Sequence, residues 1–464
     1  MKHNQLLRHF RPRFMLLLAG LSLVSVLNAQ SISSTPADPL YLKEALQHAL
    51  ANKAEAVKAR LDEQNGQNKI DEAKSRALPQ INANGSLTYN PILQLSAVPG
   101  DLAGQPGTTL LIPFGQKWNS GATVSLSQNV FDKSVFTGLK AAKATREYYR
   151  VMSQLTDEQV IEQVSTQYYQ VLVQRQHLVA VDSNIATSAR IKNIIEGQYK
   201  NGLAKKIDLD RSIVNLSNLQ AQRQQLVNAI QLQENMLKFY MGMNIETPVS
   251  IPSSALDSIH PELSLAEDMP DVKKLPDYQV LKKQEELLNL QKEATRAEYF
   301  PSLSLNGNYG YQGLGNSFPI GKANGNGANW FDFASVGLTL KVPLFNGFST
   351  RSKVRQAEID VRKIKEDIKN TELALNLGWQ NARTQLQNSI ITLNNQKENV
   401  RLAEEVYRNT QNNYNQGLAP LTDLLDAGNS LTTAQNNYST ALLDYRLAEI
   451  QLIKAQGNLK SLVN

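Results

Sequence analysis

The sequence predicts an internally duplicated α+β membrane protein in which a few amphipathic strands are joined to very long coiled-coil helices. Three observations carry this prediction. Several segments are apolar on one face and polar on the other, a seven-residue repeat places alanine at a fixed position, and one turn motif occurs twice. Together they indicate a chain that builds the same unit of helices and strands two times.

The first 29 residues have the pattern of a signal peptide. MKHNQLLRHFRPR is basic, FMLLLAGLSLVSVL is a short apolar core, and Ala29 is a small residue suited to cleavage. We therefore expect export. The chain has 48 basic and 42 acidic residues, and residues 1–29 hold four of the basic ones. Removing residues 1–29 therefore lowers the formal net charge from +6 to +2. That charge does not favour nucleic-acid binding.

Catalytic and cofactor motifs are not found in the sequence. It contains no cysteine, which excludes disulfides, thiolate metal sites, a cysteine nucleophile and a lipid-modified N-terminal cysteine. The histidines expected in the mature chain, His48, His177 and His260, match no metal-ligand spacing. The stretch GLGNSFPIGKANG has the wrong glycine spacing for a phosphate-binding loop, and no Ser or Thr follows Lys322. We expect no enzyme, no metal, no cofactor and no lipid anchor.

The chain divides into two halves with the same order of elements. RALPQINANGSLTYN, residues 76–90, corresponds to EYFPSLSLNGNYGYQ, residues 298–312. Each half is predicted to run helix, strand, loop, strand, very long helix, turn, helix. The predicted divisions are a first repeat over 30–241, an irregular Pro- and Ser-rich connector over 242–271, a second repeat over 272–457 and a tail over 458–464.

Four segments alternate between apolar and polar residues. The first is QINANGSLTYN, and the others include residues 122–127, 303–311 and 334–342. Segments of about ten residues suit a tilted crossing of a bilayer, although a soluble antiparallel sheet with one hydrated face gives the same alternation. Long loops over 91–117 and 313–329 join the pairs. Aromatic residues bracket the segments as two interfacial girdles would, namely Trp118 and Trp330 at the loop ends and Phe131, Phe300 and Phe345 at the other ends.

Four strands cannot close around a lumen, because about eight strands form the smallest useful barrel. Open strand edges are not tolerated in lipid. Several copies of the chain must therefore contribute strands. The strand count alone leaves two, three or four copies open.

The last long segment carries a heptad pattern. From Leu424, a leucine or tyrosine recurs every seven residues, and an alanine stands three residues after each one, from Ala427 to Ala455. Small residues at this position let a neighbouring helix approach closely, as in a coiled-coil seam. The preceding helix, predicted over 349–413, would be about 100 Å long at about 1.5 Å per residue. A cytosolic coiled-coil scaffold would also have such helices, but the signal peptide argues against it.

YKNGLAKKID, near 199–208, and YNQGLAPLTD, near 414–423, each predict a sharp return between two antiparallel helices. Gly202 and Gly417 supply the left-handed residue after the first helix. Asp208 and Asp423 fall in the opening turn of the next helix, where an acid is favourable. We expect both turns at the end of the helices farthest from the strands.

These features resemble the TolC-type outer-membrane efflux protein family (outer membrane factors) over essentially the whole mature chain. LYLKEALQHALANKAEAV is similar to the opening helix of the family, and YNQGLAPLTDLLDAGNSLTTAQNNY to its most characteristic stretch. The resemblance implies a homotrimer whose chains form a twelve-stranded β-barrel in the outer membrane, four strands from each, continued by a long α-helical coiled-coil barrel in the periplasm. It implies the exit duct of a tripartite efflux pump or type I secretion system, with a periplasmic adaptor and an inner-membrane transporter as partners. The alternative is an exported trimeric coiled-coil structural or adhesive protein without a pore.

The resemblance also implies residues at the periplasmic entrance of such a duct. Asp423 and Asp426 match two acids that ring the entrance, and Tyr414 and Asp208 match its closing network. Asp423 and Asp426 are three residues apart and so share a helix face, but an acidic pair also suits a helix start.

One position departs from the family pattern. Where the closing network often has a cation, five residues after the tyrosine, this chain has Ala419, and Lys205 and Lys206 are the candidate substitutes. The residues expected to dock the adaptor are those of the two turns, Gly202, Leu203, Ala204, Gly417, Leu418 and Ala419.

Overall fold

The computed structural model describes residues 39–104, 106–252, 270–321 and 324–463. The predicted signal peptide, most of the predicted connector and His260 and Lys322 lie outside these residues. The first half contains α1 (Leu42–Asn52), α2 (Ala54–Ser75), β1 (Gln80–Tyr89), β2 (Leu95–Pro99), β3 (Thr109–Pro113), β4 (Trp118–Phe131), α3 (Lys133–Lys200) and α4 (Lys206–Met241). The second contains α5 (Pro276–Ala297), β5 (Ser302–Gly315), β6 (Asn329–Lys341), α6 (Ser349–Asn415) and α7 (Leu421–Ala455).

The four predicted strands form one antiparallel sheet in the order β1-β4-β5-β6. Its register brings the apolar residues of all four strands to the same face, since Ile81 lies opposite Leu126 and Leu305 opposite Leu338. Cross-strand partners share a face, so the polar residues gather on the other one. β1 and β6 are the edge strands, and no described strand pairs with their outer sides.

Two further strands lie where the sequence predicted only a loop. β2 and β3 form a separate antiparallel hairpin within residues 91–117, with Leu95 opposite Pro113 and Pro99 opposite Thr109. Each strand is five residues long. Such short strands, each ending in a proline, give little periodic signal, so the sequence predicted a long loop here without this hairpin.

The long helices pack side by side along predicted seams. α3 and α6 contain 68 and 67 residues, which corresponds to about 100 Å each. Eight of the ten predicted heptad residues of α7 are buried, and the exceptions, Tyr438 and Ala455, are partly buried. On α6, Trp379 and Leu386 belong to the same apolar cluster as Tyr445 of α7. Among the described residues, no helix has an apolar stretch of the length needed to cross a membrane.

The predicted opening helix is interrupted at Lys53, which separates α1 from α2 with an extended backbone (φ −64°, ψ 129°). The Lys53 ammonium donates a hydrogen bond to the carbonyl of Phe239 over 3.2 Å and lies 3.8 Å from the centre of the Phe239 ring. Gly242, at φ 68°, follows α4, and a Cβ there would stand 2.7 Å from the carbonyl oxygen of Asn52. The end of α4 therefore packs against the α1–α2 junction, which the sequence alone did not reveal.

A buried carboxyl group makes the stability of this region depend on pH. Glu158 of α3 is buried. Burial, the largest cause, raises the pKa of Glu158 from its ordinary value of 4.5 to about 7, and the nearby Asp277 and Asp157 add to this rise against the opposing Lys460 and Lys454. Because the folded-state pKa is the higher one, the folded chain binds the proton more tightly. The stabilisation from this proton is complete below pH 4.5 and is lost as the pH rises through about 7.

We therefore expect the thermal midpoint of the helical region, measured by circular dichroism, to fall as the pH is raised from about 5 to about 8. Glu158→Gln should reduce this fall, since the amide carries no titrating proton. Glu162→Gln is the control on the same helix, because Glu162 is paired with Lys454 at 2.8 Å. Equal pH dependence in the parent and in Glu158→Gln would contradict the assignment.

Candidate functional site at the hairpin tips

The two helical returns have the same backbone structure. After α3, the amide of Gly202 donates to the carbonyl of Tyr199 (3.0 Å) and the amide of Leu203 to that of Gln198 (2.8 Å). After α6, the amides of Gly417 and Leu418 donate to Tyr414 and Asn413 at the same two distances, 3.0 and 2.8 Å. Both glycines are left-handed, with φ of 75° and 74°. Each return is thus a Schellman motif.

Each tip exposes one leucine between small residues. Leu203 is 80% exposed and Leu418 is 74% exposed. The two glycines are also exposed, and a Cβ built on either would meet no atom within 4 Å. Ala204 and Ala419 are partly buried. The six residues predicted to dock an adaptor therefore form two matched tips that leave space for a close neighbour.

Tyr414 and Asp208 come together although they belong to different hairpins. Tyr414 packs against the apolar cluster that contains Ile195 and Leu424. Burial, and secondly the negative charge of Asp208, raise the pKa of Tyr414. No hydrogen bond joins the two side chains within the described part of the chain. The pair therefore lies at the contact between the first and second hairpins, where the sequence interpretation placed a closing network.

The two lysines proposed as substitutes for a cation at Ala419 lie exposed at the start of α4. Lys205 is the N-terminal cap of α4 and Lys206 is its first helical residue. Both side chains are exposed, and neither makes a hydrogen bond or ion pair with the residues that the structure describes. Within one chain they therefore do not bind Asp208 or Tyr414.

Asp423 and Asp426 lie on the exposed face of the first two turns of α7. Neither carboxylate forms an ion pair among the described residues. Asp426 lines a groove between α4 and α7, together with Ile207 and Arg211 of α4. The structure thus leaves both acids facing solvent at the end of the molecule that carries the tips.

Sequence reasoning missed a polar seam between the two hairpins, several helical turns from the tips. The amide of Asn184 on α3 donates to the Thr432 hydroxyl (3.1 Å) and to Gln435 (3.2 Å) on α7. Nearby, Gly428 leaves room for the ring of Tyr407, which would lie 3.5 Å from a Cβ at that position. These polar residues join the first hairpin to the second. A polar residue on the packed face of a heptad helix is the signal that could have identified them.

The residues predicted as girdles lie at the two ends of the sheet. At the loop end, the Trp118 ring packs 4.7 Å from Tyr89 and the Trp330 ring stacks 5.1 Å from Tyr311. At the helix end, the Phe131 ring lies 6.4 Å from Phe136. The remaining two, Phe300 and Phe345, are both exposed at that same end.

Residues 274–458 match a protein family described as outer membrane efflux protein. TolC of Vibrio cholerae is 31% identical over 161 residues, which cover 35% of this chain and 36% of that protein. TolC of Escherichia coli is 21% identical over 429 residues, which cover 90% of this chain and 82% of that protein. The second half of the chain is thus similar to the outer membrane efflux protein family. Both of these relatives are outer membrane proteins.

A solved structure shows that both halves share the family fold. The outer membrane protein VceC from Vibrio cholerae superposes with a TM-score of 0.67 over 90% of this chain and 96% of that one, at 18% identity. The match to the family as a whole covers only residues 274–458, whereas the structural likeness extends over most of the first half too. The TolC-type fold is thus preserved where sequence similarity is weak.

Proposed function

We propose that three copies of this chain form the outer-membrane exit duct of a tripartite efflux pump or type I secretion system. One observation carries the proposal. A sheet with one apolar face and two open edges lies at one end of helices about 100 Å long, and two matched hairpin tips lie at the other end. The apolar face suits lipid and the polar face suits a water-filled lumen.

The strand directions allow closure by identical copies. The four strands alternate in direction, so β1 and β6 are antiparallel to each other. β6 of one copy can therefore pair in the antiparallel sense with β1 of the next, and every added copy preserves this arrangement. Three copies give a closed sheet of about twelve strands, which is large enough to enclose a lumen. Closure also satisfies the backbone groups that lipid would leave unpaired.

At the other end, we assign the two tips to contact with a periplasmic adaptor, which connects the duct to an inner-membrane transporter. In a trimer, Asp423 and Asp426 would place six carboxylates around the narrow entrance. Tyr414 and Asp208 would hold the second hairpin against the first. The exposed Lys205 and Lys206 are available for contacts between copies.

The assembly can be tested on purified protein. We expect light scattering in mild detergent to give a stable trimer, because a single chain leaves the outer sides of β1 and β6 unpaired. A folded monomer under these conditions would contradict the proposal.

The duct itself is tested by single-channel recording in a planar bilayer of neutral phosphatidylcholine. We expect discrete conductance steps from the trimer. A stable trimer that inserts into the bilayer without conducting would instead support the structural coiled-coil alternative.

A further inference from the structure

The junction between the sheet and the two long helices exposes a group of large apolar side chains. We call it the junction collar, and its apolar members are Phe131, Phe136, Phe300, Leu344, Phe345 and Phe348. The most exposed are Leu344 at 92% and Phe345 at 77%. The rings of Phe345 and Phe348 meet edge to face at 5.4 Å. Contiguous apolar patches of this kind usually mark a surface that another molecule covers.

A basic stripe begins at the same place on α3. Lys133, Phe136, Lys140 and Lys143 are spaced by three, four and three residues, so they share one helix face. The Lys133 ammonium lies 3.3 Å from the centre of the Phe300 ring. Lys140 and Lys143 are exposed, and neither has a hydrogen bond or ion pair in the described structure. Beyond the Asp132 cap of α3, this helix face therefore presents two lysines without a described acidic partner beside the apolar collar.

The second half repeats the arrangement at the start of α6. Arg351 and Arg355 are four residues apart and exposed, and the structure gives neither of them an ion pair with a described residue. The first turns of α3 and α6 contain no acid, whereas those of α4, α5 and α7 each contain an aspartate. A cation near a helix N-terminus is unfavourable with the helix dipole. Helix stability therefore does not explain these charges.

We propose that the junction collar binds anionic phospholipid headgroups of the membrane leaflet that faces the long helices. The aromatic rings would enter the boundary between headgroups and acyl chains, while the lysines and arginines would attract the phosphates. From Lys133 to Lys143 the helix rises about 15 Å. The stripe therefore lies in the headgroup zone and in the water up to about one Debye length from it. The inference rests on the proposed function only in that the sheet spans a bilayer.

The test is quenching of tryptophan fluorescence by brominated lipid in proteoliposomes. Phe345→Trp places a reporter in the collar, and the parent, whose own tryptophans number three, supplies the background. We expect brominated phosphatidylglycerol to quench the reporter several-fold more efficiently than brominated phosphatidylcholine at equal mole fraction. Added salt should weaken this preference, and Lys133→Gln/Lys140→Gln/Lys143→Gln should abolish it.

The control, Lys200→Gln/Lys369→Gln/Lys397→Gln, removes the same charge away from the collar and should keep the preference. Equal quenching by the two lipids, or equal loss in both triple variants, would overturn the inference. A reporter that neither lipid quenches would also overturn it, by showing that a neighbouring copy covers the collar. Conductance in neutral bilayers is measured separately. A protein that conducts but shows no lipid preference would therefore contradict lipid binding by the junction collar without contradicting the proposed duct.

Discussion

Replacing Leu418 by glutamate should abolish efflux while leaving the amount of assembled protein in the outer membrane unchanged. Leu418 is 74% exposed at the tip and contributes to no apolar cluster of the described core, so its loss costs little stability. A buried charge without a partner is strongly unfavourable in an interface. Docking of an adaptor over this leucine would therefore fail, and export would fall to the level of a strain that lacks the protein.

The choice of Leu418 over Gly417 separates docking from backbone strain. Gly417 has φ of 74°, where any other residue costs about 1–2 kcal/mol, whereas Leu418 can change without altering the turn. Asn415→Glu is the matched control, because it adds the same charge at an exposed polar position three residues away. Export of the substrate that the parent strain exports and trimer levels are measured together. Normal export by Leu418→Glu would remove this tip from the adaptor interface.

Replacing both Asp423 and Asp426 by alanine should lower the preference of the channel for cations. If three copies bring these exposed carboxylates together at a constriction, low-dielectric walls strengthen their field and favour cations. The double variant should shift the reversal potential across a salt gradient towards zero and weaken block by multivalent cations. Assembly should not change, since both side chains are exposed and neither forms an ion pair with a described residue.

Two further variants define the location of the effect. Asp444 is exposed on the same helix, several turns from the tip, and its replacement by alanine should leave the reversal potential unchanged. Lys205→Ala/Lys206→Ala should have the opposite effect to the aspartate variant, if these cations face the same entrance. An unchanged cation preference in the Asp423→Ala/Asp426→Ala channel would mean that the two acids serve only as helix-start residues.

Much of the fold follows from short-range periodicity. The alternation in residues 81–90 predicted β1, because every second side chain of a strand points to the same face. The alanine heptads predicted the seam of α7, where eight of ten positions are buried, because seven residues make nearly two helical turns. The glycine of each tip motif predicted a left-handed turn, and both glycines have positive φ. All these signals depend on residues that are close in sequence.

The candidate site was predictable in part. The exposed leucines of the tips and the shared face of Asp423 and Asp426 follow from local helix geometry. The role of Lys205 and Lys206 stays a prediction, since both lie exposed at the start of α4 and neither side chain makes a hydrogen bond or ion pair with Asp208 or Tyr414 in the described part of the chain. The polar seam of Asn184 with Thr432 was missed because its partners lie on different hairpins.

The sequence by itself determined the four strands of the large sheet, the long helices and the two sharp returns, because their signals come from residues close together in the chain. Tertiary structure alone decided where those elements bend and meet. A β-bulge between Asn129 and Phe131 places Phe131 opposite Leu303, on the apolar face of the sheet. Simple alternation along β4 would have placed Phe131 on the polar face. At the break between α1 and α2, the Lys53 ammonium donates a hydrogen bond to the carbonyl of Phe239 at the far end of the first half. Such features depend on contacts between residues far apart in sequence, and no local pattern of side chains encodes them.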